Sequence, residues 1–225
     1  MRLPMFLAAS LLAAPALFAA EAPAARLADA SDVLSDMMNM SDKGIPQELI
    51  EKAQCVVVIP GLKKAGFIVG GKYGAGFAMC RRHSGTGWSA PAAVKIEGGS
   101  VGFQIGGSEQ DVVLLVMNDR GVRKLLQDKF TIGAEATAAA GPLGREASAQ
   151  TDAQMRAEIL SYSRSRGLFA GLAIQGATLR PDPDADRRLY GRDITNSEIL
   201  TGNTAAPPEA AKLEGLLNRN SMHKQ

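Results

Sequence analysis

The chain has 225 residues, and a leader of roughly 20 would leave about 200, the size of one domain with one core. Hydrophobic residues make up 46% and charged residues 21%, which argues against extended disorder, and 24 glycines beside one Trp, three Tyr and seven Phe fit a long helical bundle badly. The 25 basic and 23 acidic side chains nearly cancel, against a nucleic-acid binder coated in positive charge.

Met1 to about Ala22 reads as a signal peptide: Arg2 and the terminal amine precede an apolar run over 5–20. Sixteen such residues fall short of the ~20 that span a bilayer. No cysteine follows the cleavage region, the first being Cys55, so the expectation is a periplasmic or secreted protein and not a lipoprotein. In an oxidising compartment Cys55 and Cys80 have one possible pairing, and the alternative is two buried thiols acting as small hydrophobes.

Next comes a helical segment over 23–53. Leu27, Ala30, Leu34, Met37 and Met38 recur at helical spacing, and Pro46 suits the first turn of a second short helix through Ala53. The pattern then changes to short apolar runs punctuated by glycine, at 55–59, 66–70, 75–80, 92–97, 101–105 and 112–117, each predicted as a strand. Asp119 can cap a short helix carrying Val122, Leu125 and Leu126. Strand-like patterns resume at 129–133, 134–140, 159–165 and 168–179. Brief helices are predicted at 183–190, 196–200 and 208–218, with a linker over 201–207. The fold class is therefore α+β, mainly an antiparallel β-barrel or sandwich over 54–200 with short N-terminal and C-terminal helices, the last within 201–225.

Several chemical motifs fail on inspection. Residues 66–72 spell the start of a phosphate-binding loop, but Tyr73 stands where magnesium coordination needs Ser or Thr. Asp182, Asp184 and Asp186 have the spacing of half a calcium loop, yet Arg187 replaces the required Gly, so helix capping is the better reading. His83 lies in a Gly/Ser-rich turn with no acid nearby in sequence to orient it, and His223 is almost terminal. Ligands for zinc are too few. Met37, Met38 and Met40 fit helix packing better than a copper site. No enzyme and no cofactor is expected.

Two basic features remain. From Lys52 to Ile96 there are seven basic residues and no acid, a window of +7, whereas the rest of the chain sets 18 basic against 23 acidic residues. Lys63, Lys64, Lys72, Arg81 and Arg82 in that window are candidates to meet an anionic partner such as a lipid headgroup; the alternative is a set of solvated loops. If 162–166 is extended, Tyr162, Arg164 and Arg166 share one face, where the two guanidiniums either grip phosphate oxygens or pair internally with acids such as Glu146, Asp152 or Glu158.

The stretches AGFIVGGKYGAG (65–76), WSAP (88–91), GGSVGFQIG (98–106), DVVLLVMN (111–118), AAGPLG (139–144), YSRSRGLFAG (162–171) and LYG (189–191) together resemble the SYLF lipid-binding domain over about 50–200. In eukaryotic relatives the domain accompanies Src-homology-3 or FYVE modules and is associated with phosphoinositide binding and, in yeast, with actin binding and bundling; bacterial members are typically exported. The resemblance implies a lipid-binding module. For an exported chain the implied partner is anionic phospholipid of an envelope membrane, with actin a family label only. The rival expectation is a structural envelope protein that binds another protein or a glycan.

Overall fold

The computed structural model describes residues 21–40, 44–82, 86–144, 156–165, 168–170 and 174–221. Residues 1–20 of the expected leader, His83, Arg166, Glu146 and Asp152 lie outside them. The expected α+β class holds.

Helix α1, Pro23–Asn39, begins on a proline whose fixed φ suits a first turn. Its Leu27, Ala30, Leu34 and Met37 form a fully buried stripe at helical spacing. Helix α2, Gln47–Lys52, follows, with Pro46 just outside it as the N-cap residue and not in its first turn.

The six glycine-punctuated runs expected as separate strands are instead two long ones, β1 (Cys55–Cys80) and β2 (Ala92–Val116), paired antiparallel from Cys55↔Val116 to Ala78↔Ala92. The glycines bend the ribbon without ending it. Register shifts fall between Ile59 and Leu62 and between Gly66 and Ile68, and at the first of these Gly61 takes φ 55°, a left-handed conformation that glycine enters at no steric cost. The bends bring the two ends of β1 side by side. A Cβ on Gly76 would stand 1.9 Å from the Val58 carbonyl oxygen, so only glycine permits that approach, and the Arg81 amide donates to the Gln54 carbonyl at 2.8 Å.

After β2 come helix α3 (Asp119–Leu125) and strands β3 (Phe130–Thr131), β4 (Ala138–Ala140), β5 (Ile159–Ser165), β6 (Leu168–Ala170) and β7 (Thr178–Pro181). Asn118 caps α3, accepting from the amides of Arg120 and Gly121, so Asp119 is the first helical residue and not the cap. Strand β2 pairs with β5 through 111–116 and with β7 through 94–97. The 134–140 run shortens to β4, which pairs parallel with β5, making the sheet mixed; 168–179 divides into β6 and β7. Helices α4 (Pro183–Tyr190), α5 (Asn196–Thr201) and α6 (Ala211–Ser221), the last entered through a 3-10 turn at Pro208–Ala210, complete the described chain.

Alternation along the strands supplies two cores. Val56, Val58, Phe77, Met79, Val113, Leu115 and Tyr162 pack under α1 with Leu213 and Leu217 of α6. Cys55, Val57, Ile59, Ala78, Val94, Ile96, Val112 and Leu114 face the inside of the curl, against Phe130, Ile174 and Leu179. Burial on both faces explains why these runs are almost continuously apolar. Residues 98–110 of β2 are different: among the described residues they pair only with β1.

Candidate functional site

The basic window does not form one patch. The fold distributes its side chains among three places.

At the hairpin turn, Arg81 and Arg82 fasten helices to the sheet. The C-terminus of α2 leaves carbonyls without helical partners, and the Arg81 guanidinium donates to those of Ile50, Glu51 and Ala53 at 3.0, 2.7 and 2.8 Å while lying 4.7 Å from the Trp88 ring centre. Arg82 Nε donates to the Trp88 carbonyl at 2.7 Å, and its far nitrogen approaches Glu214 of α6 at 4.0 Å. Arg81 thus spends its charge internally, and Arg82 spends part of its own.

Lys63 and Arg164 border a cleft of about 580 Å³ between α1 and the β1–β2 ribbon. Arg164 bridges Asp36 of α1 at 3.2 Å and Asp111 of β2 at 2.9 Å. Burial alone would lower its pKa, but these two carboxylates more than offset that and raise it. Internal pairing is the arrangement seen, with Asp36 and Asp111 and not with Glu158, while Glu146 and Asp152 lie outside the described residues. Glu21, Asp29, Asp32 and Glu109 also line the cleft, so it is acidic on balance. Burial, then the neighbouring Asp29, pushes the Glu21 carboxyl up. Tyr162, on the next inward position of β5, is fully buried and donates to the Pro142 carbonyl at 3.1 Å.

Lys64 and Lys72 form the third group. They belong to the arc of β1 opposite residues 98–110, with Lys64 across from Ser108 and Lys72 across from Gly98. Lys72 reaches over the end of the curl to donate to the Gln175 carbonyl at 2.9 Å. Burial lowers both pKa values, and repulsion from Lys72 lowers that of Lys64 further. Both ammonium groups therefore stand in partly dehydrated surroundings. Tyr73, half exposed beside them in sequence, is the exposed large hydrophobic side chain of the described residues.

One constellation was missed in the sequence. Asp182, the cap of α4, takes Lys95 at 3.0 Å and Arg26 at 3.8 Å, and Asp186 one turn later is completely buried, accepting the Ala93 amide at 2.8 Å. Burial, opposed by that amide bond and reinforced by Asp182, pushes Asp186 up to about 7. The D-x-D-x-D spacing was the available signal; it marked a helix start, as expected, but not the buried partner behind it. The Cys55–Cys80 disulfide is present, with Cα atoms 4.0 Å apart, and it joins the two ends of one strand. Among the described residues no group of His, Cys, Asp or Glu is arranged to hold a metal ion, and no helix is long and apolar enough to cross a membrane.

Comparison with known proteins locates this architecture. The family model Ysc84, described as Las17-binding protein actin regulator, matches residues 97–220. The SH3 domain-containing YSC84-like protein 1 of Xenopus laevis is 38% identical over 182 residues, covering 80% of this chain and 54% of its own. Its Homo sapiens namesake is 36% identical over 181 residues, covering 80% and 52%. Protein YSC84 of Saccharomyces cerevisiae is 33% identical over 186 residues, covering 81% and 39%. The chain spans about half the length of the vertebrate relatives it matches.

Proposed function

The chain belongs to the Ysc84, or SYLF, family, and from that premise we propose that it is an exported, non-catalytic module that engages anionic phospholipid through the arc carrying Lys64 and Lys72. The carrying observation is that both lysines stand on the arc of β1 that only β2 flanks among the described residues, where burial disfavours the charge of each and repulsion from Lys72 disfavours that of Lys64 further. A phosphate-bearing headgroup between them would offset both penalties, which a solvated pair of lysines would not need. Tyr73 adds a half-exposed ring of the kind that sits at membrane interfaces. Lys63 is a weaker contributor because its cleft is lined by carboxylates, and Arg81 is left out because its donors are engaged.

Export is supported by the disulfide, since such bonds persist in oxidising compartments, and by the apolar leader. The actin regulation in the family's description belongs to proteins that carry that name; for a chain in an oxidising compartment we place lipid ahead of it. Flotation with anionic and neutral vesicles tests the reading. Each basic side chain close to an anionic membrane contributes roughly 1 kcal/mol, so the Lys64→Ala/Lys72→Ala variant should lose about 30-fold in affinity for anionic vesicles at low salt. The wild type should approach the variant as salt rises. Equal binding of a folded variant and wild type at low salt would sink the assignment of this arc.

A further inference from the structure

A second cationic site lies away from the basic window, in the part of the chain whose net charge is negative. Arg120 and Arg123 of α3 and Arg156, three residues ahead of β5, line one surface pocket of about 470 Å³ together with Asp119, Thr137 and Glu158. Its volume falls within the range of small-molecule sites, roughly 300–1,000 Å³. We propose that this pocket binds a terminal phosphate group, a phosphate monoester, through the three guanidiniums.

The arginines have a reason to converge that internal pairing does not supply. Among the described residues none of the three has an ion-pair partner, although two carboxylates line the same pocket. Glu158 is turned elsewhere: one of its oxygens accepts the Thr137 amide at 2.8 Å, while its own amide donates to the Thr137 hydroxyl oxygen at 3.0 Å. That exchange leaves the Thr137 hydroxyl proton for another acceptor. With no ion pair among the described residues, the three guanidinium forks keep donors for a ligand. Each presents five N–H groups in a planar fork that matches the oxygens of phosphate.

Charge selects the class of ligand. Three arginines against Asp119 and Glu158 leave a single net positive charge in the lining, and attraction to it grows with the charge of the ligand, so a singly charged carboxylate is held less firmly than a dianion. A phosphate monoester carries about −1.5 to −2 at neutral pH and three acceptor oxygens, enough to engage more than one fork at once. A diester offers one charge and two free oxygens. The terminal phosphate can come from a lipid headgroup or from a soluble phosphate ester; the chemistry of recognition is the same. This site is separate from the lysine arc. Neither Lys64 nor Lys72 lines the pocket, and Lys64 stands opposite Ser108, eight residues before the end of β2, whereas α3 begins beyond that end.

The test uses the full exported chain. Inorganic phosphate and glycerol 3-phosphate are titrated into it by calorimetry. In parallel, flotation compares vesicles containing phosphatidic acid, a monoester, with vesicles containing phosphatidylglycerol, a diester, at equal surface charge. Arg123→Gln/Arg156→Gln should weaken binding of the monoester probes at least tenfold, and Arg123→Lys/Arg156→Lys, which keeps charge but loses the forks, should weaken it about threefold or more. Both pairs are exposed, so thermal melts should match wild type. Lys64→Ala/Lys72→Ala should leave the calorimetric result unchanged, which keeps this site's fate distinct from that of the arc. Binding of soluble probes alone identifies a soluble ester as the source, and binding of phosphatidic acid vesicles alone identifies a headgroup. Failure of wild type to bind any monoester probe, or a glutamine variant that binds them all as tightly as wild type, overturns the proposal.

Discussion

The same two strands behave as different materials along their length. Near the disulfide, 55–59 and 76–80 of β1 with 92–97 and 112–116 of β2 are packed on both faces and bordered by β5 and β7. Over 62–72 and 98–110 the ribbon has no third strand among the described residues and carries Lys63, Lys64 and Lys72. Stability is concentrated in the first region, and the groups proposed to meet lipid lie in the second. The arc can therefore vary in sequence and geometry without loosening the core that holds it.

Substitutions graded by expected cost test that separation. The largest effect should come from Gly76→Ala in the packed region. Its Cβ would collide with backbone, at 1.9 Å from a carbonyl oxygen and 2.8 Å from the Ile59 Cα, and a loss above about 4 kcal/mol, or failure to fold, is expected in urea denaturation. A modest loss would mean that the two ends of β1 can move apart freely.

Asp186 gives the next effect and its pH dependence. Its folded-state pKa is about 7 against an ordinary value of 3.8, so between those values the folded state holds a proton that the unfolded state has released. Stability from this group is then fully present below about pH 4 and is lost as pH rises toward 7 and beyond. Relative to Asp186→Asn, which cannot ionise, wild type should lose up to about 4 kcal/mol between pH 4 and pH 8. Asp186 meets the Ala93 amide, Asp182 and Tyr190; around them Arg26 and Lys95 pair with Asp182, and Asn196 donates to the Ala93 carbonyl. Parallel unfolding curves for the two proteins across that range would show that the carboxyl titrates normally.

Cys55→Ser/Cys80→Ser removes a cross-link between residues 25 apart and should cost about 3 kcal/mol by the chain-entropy account. Labelling of denatured, non-reduced wild-type protein should find no free thiol. The smallest effect belongs to the arc: Lys64→Ala should change stability by less than about 0.5 kcal/mol and should act on vesicle binding alone. A loss as large as that of the disulfide variant would erase the distinction between the two regions.

How much of this was legible follows from where the determining contacts lie. Strand β5 and helix α4 begin and end where alternation and the Asp182–Pro183 start signal put them, because neighbouring residues fix those features. The breaks expected in β1 at 60–65 and 71–74 did not exist, since a glycine that ends a strand and one that bends it look alike without the partner strand. Arg164 was rightly suspected of pairing, yet its acids, Asp36 and Asp111, are 128 and 53 residues away in sequence. Charge counting located the basic window but could not show that Arg81 turns inward to α2 while Lys64 and Lys72 stay on the arc of β1. It also passed over Arg120 and Arg123, one turn apart on α3, and Arg156, which comes to the same pocket only in the fold.

The hairpin turn that joins β1 to β2 has one more consequence, for the order in which the protein assembles. Trp88, buried in that turn, donates its indole N–H to the Ser221 hydroxyl at 3.0 Å, and Arg82 faces Glu214, so the turn is completed by the last helix described. A ribosome delivers that helix more than 120 residues after the turn it must secure. During synthesis the turn's indole donor and the apolar surface meant for Leu213 and Leu217 stay without their cover until the final stretch emerges. Under the export proposed above, this delay would help the chain to cross a membrane unfolded, because closure is withheld from every shorter precursor.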